Sequence, residues 1–400
     1  MNILFLSLLS FSSFDESNIY TDLLRGLIKN GNAVYAVCPS ERRNKGKTNL
    51  KMFGNSAILT VKTFNIQKTN ILEKGLGTLA IKKQFIRGIN KHLKGIRFDL
   101  ILYPTPPITL YGIVKYFKKR DGAKTYLMLK DIFPQNAVDL KLMRTSGPKG
   151  LIYKFFRRQE KKLYSISDKI GCMSPANAEY VFKHNQEISK DKIELFPNCI
   201  EVKDFALSEK EKEDIRIKYG LPLDKKIFVY GGNLGKPQGV PFIIECLKAE
   251  KNNSDAFFLV VGDGTDFRML ENYYNESRQR NFKLLKKLQT EEFDRLLASC
   301  HVGLIFLDHN FTIPNFPSRL LSYMQARLPV LACTDTASDI GKTIVDGGFG
   351  WWCCSDEVSG FAKMVSIILG ENLEQKKKNS VIFLKKNYNL NLEMIRKVLP

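Results

Sequence analysis

The sequence has only four histidines and no Cys-x-x-Cys pair, so nothing in it reads as a zinc cluster. Its eight cysteines (38, 172, 199, 246, 300, 333, 353 and 354) stand inside or beside apolar runs. That is the pattern of buried, reduced thiols in a cytosolic protein. No segment offers ~18 uncharged apolar residues, so no spanning helix is expected. There is no tandem repeat of the solenoid kind. The apolar start, Met1 to Phe14, imitates a signal peptide but lacks its positive leader, because the first basic residue is Arg25. No small-residue cleavage site precedes Asp15-Glu16, and the segment reads as a buried first strand. Acid is scarce in one half only. Residues 1–200 hold 34 basic against 15 acidic side chains, a net +19, whereas 201–400 hold 28 against 26, a net +2. The first half should face something anionic: nucleic acid, a membrane surface or a lipid diphosphate.

What is present suits a large α/β protein. The chain has 400 residues, 44% of them hydrophobic, with 27 Phe. That length suggests two or three domains and excludes a disordered chain. Apolar runs at Asn2–Leu9, Ala33–Cys38, Asp99–Tyr103, Thr125–Leu129 and Lys169–Met173 read as strands. Helical patterns, such as Ile19–Lys29 and Ala176–Phe182, lie between them. Strands alternating with helices imply a parallel sheet. The alternation restarts at Lys226–Tyr230 and continues through Ala256–Val261, Phe282–Leu285, Val302–Leu307 and Pro329–Ala332. The restart and the charge break place a linker near 196–210, between two Rossmann-like domains, 1–200 and 201–400.

Ligands of open α/β sheets bind beyond the carboxyl ends of the strands. Two such turns stand out. In Gly231-Gly232-Asn233-Leu234-Gly235-Lys236, glycine lets the backbone approach a diphosphate and Lys236 adds charge. It is neither a nucleotide-kinase P-loop nor Gly-x-Gly-x-x-Gly. In Pro317-Ser318-Arg319-Leu320-Leu321-Ser322-Tyr323, Ser318 is a candidate N-cap that leaves free N–H groups facing outward. Arg319 in a first helical turn is unfavourable by roughly 0.3–1 kcal/mol unless an anion compensates it.

These stretches, in order, resemble the family 4 retaining glycosyltransferases. Leu195-Phe196-Pro197-Asn198-Cys199-Ile200 and then Phe205 are similar to the family's P-N-G-V linker. Gly232 to Val240 is similar to its G-R-L-x-x-x-K-G-V loop, and Val260-Val261-Gly262-Asp263-Gly264 to its I-V-G-D-G turn. Pro317–Tyr323 followed by Leu328-Pro329-Val330 resembles the P-S-K-L-x-x-Y form of the capsule, colanic-acid and O-antigen branch. Asp131-Ile132-Phe133-Pro134 resembles that branch's D-L-W-P. Pro314 and Ser322 fall where the common family carries two glutamates, and Asn233 and Gln238 where it carries Arg and Lys.

The resemblance implies a GT-B fold, two Rossmann-like domains facing across a cleft, and allows the last helix to return to the first domain. It implies transfer from a nucleotide sugar, with a UDP-sugar favoured, without metal or other cofactor. Gly232, Asn233, Gly235, Lys236, Gln238, Ser318, Arg319, Leu320 and Ser322 are the expected diphosphate contacts. Gly262, Lys286, Lys287 and Leu288 are expected at the base. Asp131 is the expected acceptor-side carboxylate, able to orient or deprotonate a hydroxyl, and Glu16 lies in the expected acceptor loop.

Two basic stretches look amphipathic. Over 79–97, Ile81, Phe85, Ile89, Leu93 and Ile96 recur at helical spacing among Lys82, Lys83, Arg87, Lys91, Lys94 and Arg97. Over 151–163, Leu151, Ile152, Phe155 and Phe156 do so among Lys154, Arg157, Arg158, Lys161 and Lys162. Such stripes either pack inward or dock on an anionic membrane. Docking suits a cytoplasmic enzyme, peripheral on the inner face of the plasma membrane, that glycosylates a polyprenyl-diphosphate-linked saccharide. Another GT-B enzyme, such as a nucleotide-sugar epimerase, and a charge-driven nucleic-acid binder are the alternatives. No nucleic-acid module is recognisable, so no nucleic-acid partner is expected.

Overall fold

The computed structural model describes residues 1–44, 46–65, 71–148, 150–203 and 206–400, with 44 and 71–79 described by backbone alone. Phe205 of the linker motif lies outside the described residues. The chain forms two compact units. The first comprises Met1–Ile200 and Leu390–Pro400, and the second Glu201–Asn389.

The first unit is built on an eight-stranded sheet in the order β3-β4-β2-β1-β5-β6-β7-β8. Its strands are β1 (Asn2–Leu6), β2 (Ala33–Glu41), β3 (Asn49–Phe53), β4 (Ser56–Thr63), β5 (Leu100–Thr105), β6 (Lys124–Leu129), β7 (Lys169–Cys172) and β8 (Ile193–Leu195). All neighbours pair in parallel except the edge hairpin β3-β4. Ile3, Leu4, Phe5 and Leu6 have no exposed surface, as expected of a parallel strand covered on both faces. The strand order reverses between β1 and β5, so the loops after these two strands flank the natural crevice.

The second unit carries a six-stranded parallel sheet, β11-β10-β9-β12-β13-β14. Its strands are β9 (Lys226–Asn233), β10 (Ala256–Asp263), β11 (Phe282–Lys286), β12 (Val302–Phe306), β13 (Val330–Thr334) and β14 (Gly350–Cys354). Here the reversal lies between β9 and β12. One core gathers Phe228, Phe258, Phe306 and Phe361 beside the central strands. All eight cysteines are free thiols and all but Cys354 are buried. No helix among the described residues is long and apolar enough to cross a membrane.

The two basic stretches fold differently from each other. The first lies in the helix Ile71–His92, and Ile81, Phe85, Ile89 and Leu93 pack inward. The second is the helix Gly150–Ile166, whose buried residues are Gly150, Glu160, Leu163 and Tyr164. Its anticipated apolar stripe is turned outward: Leu151 is 67%, Ile152 55% and Phe155 46% exposed. The inward face instead holds a paired polar group. Arg157 Nη1 donates to Glu160 Oε2 at 2.6 Å, and Tyr164 Oη to Glu160 Oε1 at 2.8 Å.

Candidate functional site

In the second unit the reversal point is built from β9, β10, β11 and the segment after β12. Gly232, Gly262 and Lys286 are register partners across three adjacent strands. Gly262 is needed there, because a Cβ would lie 2.1 Å from the Gly232 carbonyl oxygen. Gly232 adopts φ +128°, a conformation that favours glycine. The predicted diphosphate turn and the start of the predicted base loop are therefore side by side. Lys286 and Lys287 are exposed and Leu288 is half-buried.

The Pro317–Tyr323 segment meets this turn through its side chains. Tyr323 Oη donates to the Leu304 carbonyl at 2.8 Å and accepts the Gly231 N–H at 3.0 Å, tying the helix Arg319–Gln325 to both β12 and β9. The Arg319 guanidinium carbon then lies 4.3 Å from the centroid of the Tyr230 ring. A Cβ on Gly232 would sit 3.4 Å from Arg319 Nη2. Arg319 Nη1 is buried and has no hydrogen-bond acceptor among the described residues. A buried donor left in this condition costs about 1–3 kcal/mol, more when charged, until an acceptor arrives. The residue as a whole is half-buried, so an approach to it remains open.

Several local expectations at these residues differ in the structure. Ser318 is exposed, has helical φ and ψ, and makes no side-chain cap. The Leu320 N–H donates to the Pro317 carbonyl at 3.2 Å and that of Leu321 to Ser318 at 3.0 Å. The tight turn thus consumes the Leu320 and Leu321 N–H groups. The Gly235 N–H donates to Gln238 Oε1 at 3.2 Å, so it too is occupied. Gln238 Oε1 also accepts from Asn233 Nδ2 at 2.8 Å. The amides that stand in place of the family's Arg and Lys bind each other and close the loop. Lys236 is exposed beside them, and Ser322 is half-buried.

In the first unit, Asp131 lies two residues past the end of β6 rather than on it. Thr105 Oγ1, at the end of β5, accepts the Lys130 N–H and donates to the Asp131 carbonyl, each at 3.2 Å. Asn136 Nδ2 donates to Asp131 Oδ2 at 2.6 Å. The residue is half-buried, but its Oδ1 is enclosed and has no partner among the described residues. Burial pushes the carboxyl up to about 6, against the opposing pull of the Ile132 N–H and Asn136.

Lys130 was missed by the sequence reading. Its Nζ lies 5.3 Å from the Phe196 ring centroid, and burial lowers it to about 8. A lysine closing a buried strand directly before the candidate acid is the one signal that could have found it. Glu16 does lie in the loop after β1. Its Oε1 accepts from Ser12 N at 2.7 Å, Ser12 Oγ at 2.8 Å and Ser13 N at 3.3 Å, so this oxygen organises the loop itself.

The arrangement offers one buried cation at a glycine turn in the second unit and one proton-holding carboxyl in the first. The family model described as Glycosyltransferase Family 4 matches residues 17–204, and that described as Glycosyl transferases group 1 matches 211–382. A Pseudomonas aeruginosa protein named as glycosyltransferase WbjE is 24% identical over 301 residues, 75% of this chain and 73% of its own. An Escherichia coli K12 protein named as a colanic acid biosynthesis glycosyl transferase, WcaI, is 23% identical over 229 residues, 57% and 54% of the two chains. The solved structure of Anabaena Alr3699/HepE in complex with UDP-glucose has a TM-score of 0.70 at 13% identity, covering 100% of this chain and 98% of that one. The likeness is one of fold, GT-B.

Proposed function

As this chain belongs to the family 4 glycosyltransferases, we propose that it moves a sugar, with retention, from a nucleoside-diphosphate sugar to a lipid-diphosphate-linked saccharide during assembly of a bacterial surface polysaccharide. The observation that carries this reading is the Arg319 guanidinium beside Gly232, whose buried Nη1 has no acceptor among the described residues. A departing diphosphate supplies acceptor oxygens and developing charge at such a place. A fixed cation stabilises the transition state more than the ground state as that charge grows. Exposed Lys236 adds a second, more mobile charge, and no metal is called on. The base binds along the Lys286–Leu288 edge of the same register row. The UDP-glucose bound by the Anabaena neighbour supports a UDP-sugar donor. The names of WbjE and WcaI support a saccharide acceptor of the surface-polysaccharide kind.

On the acceptor side, Asp131 receives or orients the proton of the attacking hydroxyl. The acceptor oxygen bonds to the anomeric carbon while the bond from that carbon to the diphosphate oxygen breaks. The hydroxyl proton passes to the Asp131 carboxylate or to the leaving diphosphate on the same face. The basic first half suits work at an anionic membrane surface, where a lipid-linked acceptor resides. The test is a thermal-shift screen of UDP- and GDP-sugars on the whole chain, since a ligand of the native state raises its melting temperature by mass action. Stabilisation by a UDP-sugar and not by a GDP-sugar is the expected result. No stabilisation by any nucleotide or nucleotide sugar overturns the reading.

A further inference from the structure

We infer that the first turns of the helix Gly150–Ile166, with Leu142 of the preceding loop, form the surface by which the protein lies on an anionic lipid bilayer. This rests on the lipid-linked acceptor proposed above and assigns the membrane contact to one place. Leu151, Ile152 and Phe155 are exposed on this helix, and Leu142, in the preceding loop, is 60% exposed. Loop and helix pack closely: a Cβ on Gly150 would sit 2.6 Å from the Thr145 carbonyl oxygen. Apolar residues left in water are ordinary when single, but a cluster marks a contact.

The charge around them selects the occupant. Lys141, Arg144, Lys154, Arg158, Lys161 and Lys162 share the segment 141–162. Its one acidic residue, Glu160, is buried and paired with Arg157. Lys161 pairs with Glu187, an exposed contact. Exposed apolar residues in a segment rich in cations, with no exposed carboxylate in that segment, match an interface of acyl chains below anionic headgroups. The helix Ile71–His92 is the internal contrast: equally basic, but with Ile81, Phe85 and Ile89 inside.

The surface also reaches the candidate acceptor acid. The Phe155 and Phe156 rings lie 5.3 Å apart and Phe156 meets Phe133 at 5.1 Å, centroid to centroid. Phe133 is two residues from Asp131. A bilayer under Leu151 and Phe155 would therefore lie next to the loop that holds the acid. A lipid-linked hydroxyl could reach that loop without its lipid leaving the membrane.

The experiment is flotation of the full chain with phosphatidylcholine vesicles, with and without phosphatidylglycerol. It is paired with transfer to a short-chain, water-soluble prenyl-diphosphate-linked saccharide. The variant Leu151→Ser/Ile152→Ser/Phe155→Ser should reduce binding to anionic vesicles by at least about tenfold and keep transfer to the soluble acceptor. Lys83→Gln/Arg87→Gln/Lys91→Gln, on the other basic helix, should change binding by less than about threefold. A polarity-sensitive dye on Ile152→Cys should shift to the blue on anionic vesicles and stay unshifted on neutral ones. Vesicle binding by the triple serine variant equal to wild type overturns the surface, as does an unshifted dye or a wild-type chain that transfers but never floats. A wild-type dimer that the serine variant dissolves also overturns it, because the patch would then join two copies. Flotation lost as predicted, in a wild-type protein that transfers to no prenyl-diphosphate acceptor, keeps the surface and removes the acceptor reading instead.

Discussion

Asp131 in the first unit and Arg319 in the second both follow the carboxyl end of a parallel strand, and each hides one polar atom that has no partner among the described residues. The two respond to burial in opposite ways. A carboxyl can become neutral by holding a proton, and Asp131 is pushed up to about 6. A guanidinium has no such escape, because it stays charged at any working pH. The first is therefore suited to passing a proton and the second to waiting for a fixed anion. The chemistry of a group transfer needs one of each.

The comparison breaks most readily at Asp131. Asp131→Asn keeps the shape and removes the base. Single-turnover transfer should fall by ~10²–10⁴-fold while titration calorimetry finds unchanged nucleotide affinity. Wild-type transfer would return Asp131 to a structural role. Arg319→Ala is expected to act the other way. Donor nucleotide binding should weaken by about 1.5–3 kcal/mol, roughly 10–150-fold, with the melting temperature of the unliganded protein little changed. Unchanged affinity would show that the anion binds elsewhere.

The pH dependence sharpens the same contrast. Transfer should rise with pH and level off above about 6, with roughly a tenfold loss per unit below it, and Asp131→Asn should abolish this limb. Stability carries the opposite sign. The unfolded chain releases this proton near ~3.9 while the native chain keeps it to about 6. The native state binds more protons in between, so its stability falls as pH rises across that window. The loss should be smaller in Asp131→Asn, as denaturant melts at the two ends of the window would show. Asp335 is also pushed up to about 6 by burial, so Asp335→Asn should alter the melts and leave the rate limb in place. The smallest effect belongs to the loop. Gln238→Ala removes the acceptor shared by Asn233 and Gly235, and should weaken donor binding only a few-fold, about 0.5–1.5 kcal/mol. A loss as large as that of Arg319→Ala would mean Gln238 touches the ligand itself.

The strand–helix alternation was readable because parallel strands covered on both faces are unbroken apolar runs, as at Ile3–Leu6 and Phe228–Tyr230. Gly232 and Arg319 were both expected at one diphosphate through the family resemblance, but the strand order that brings them together was not readable. Their meeting depends on β12 lying next to β9, and sequence order does not say which strands are neighbours. The free amide expected at Leu320 failed for a local reason, a tight first turn in which it bonds the Pro317 carbonyl. For the helix Gly150–Ile166 periodicity alone left both an inward and an outward stripe open, and the structure turns it outward. Here Arg157, Glu160 and Tyr164 satisfy one another, which lets a charged face be the inner one.

The return of Leu390–Pro400 to the first unit bears on the order of events at the ribosome. Met394, Ile395 and Val398 belong to the same core as Phe5, Leu24 and Leu102, and the Leu390 N–H donates to the Ile200 carbonyl at 2.9 Å. Leu390 and Ile395 also lie where a side chain on Gly26 would have to go. Residues 1–200 are synthesised first, yet their core is complete only after the whole of the second unit has been made. During synthesis the later half can close on itself before the earlier one is sealed, the reverse of the usual vectorial order. A nascent chain stalled before residue 390 would expose the apolar seat of the helix Leu392–Val398, a surface that a chaperone could hold until residues 390–400 arrive.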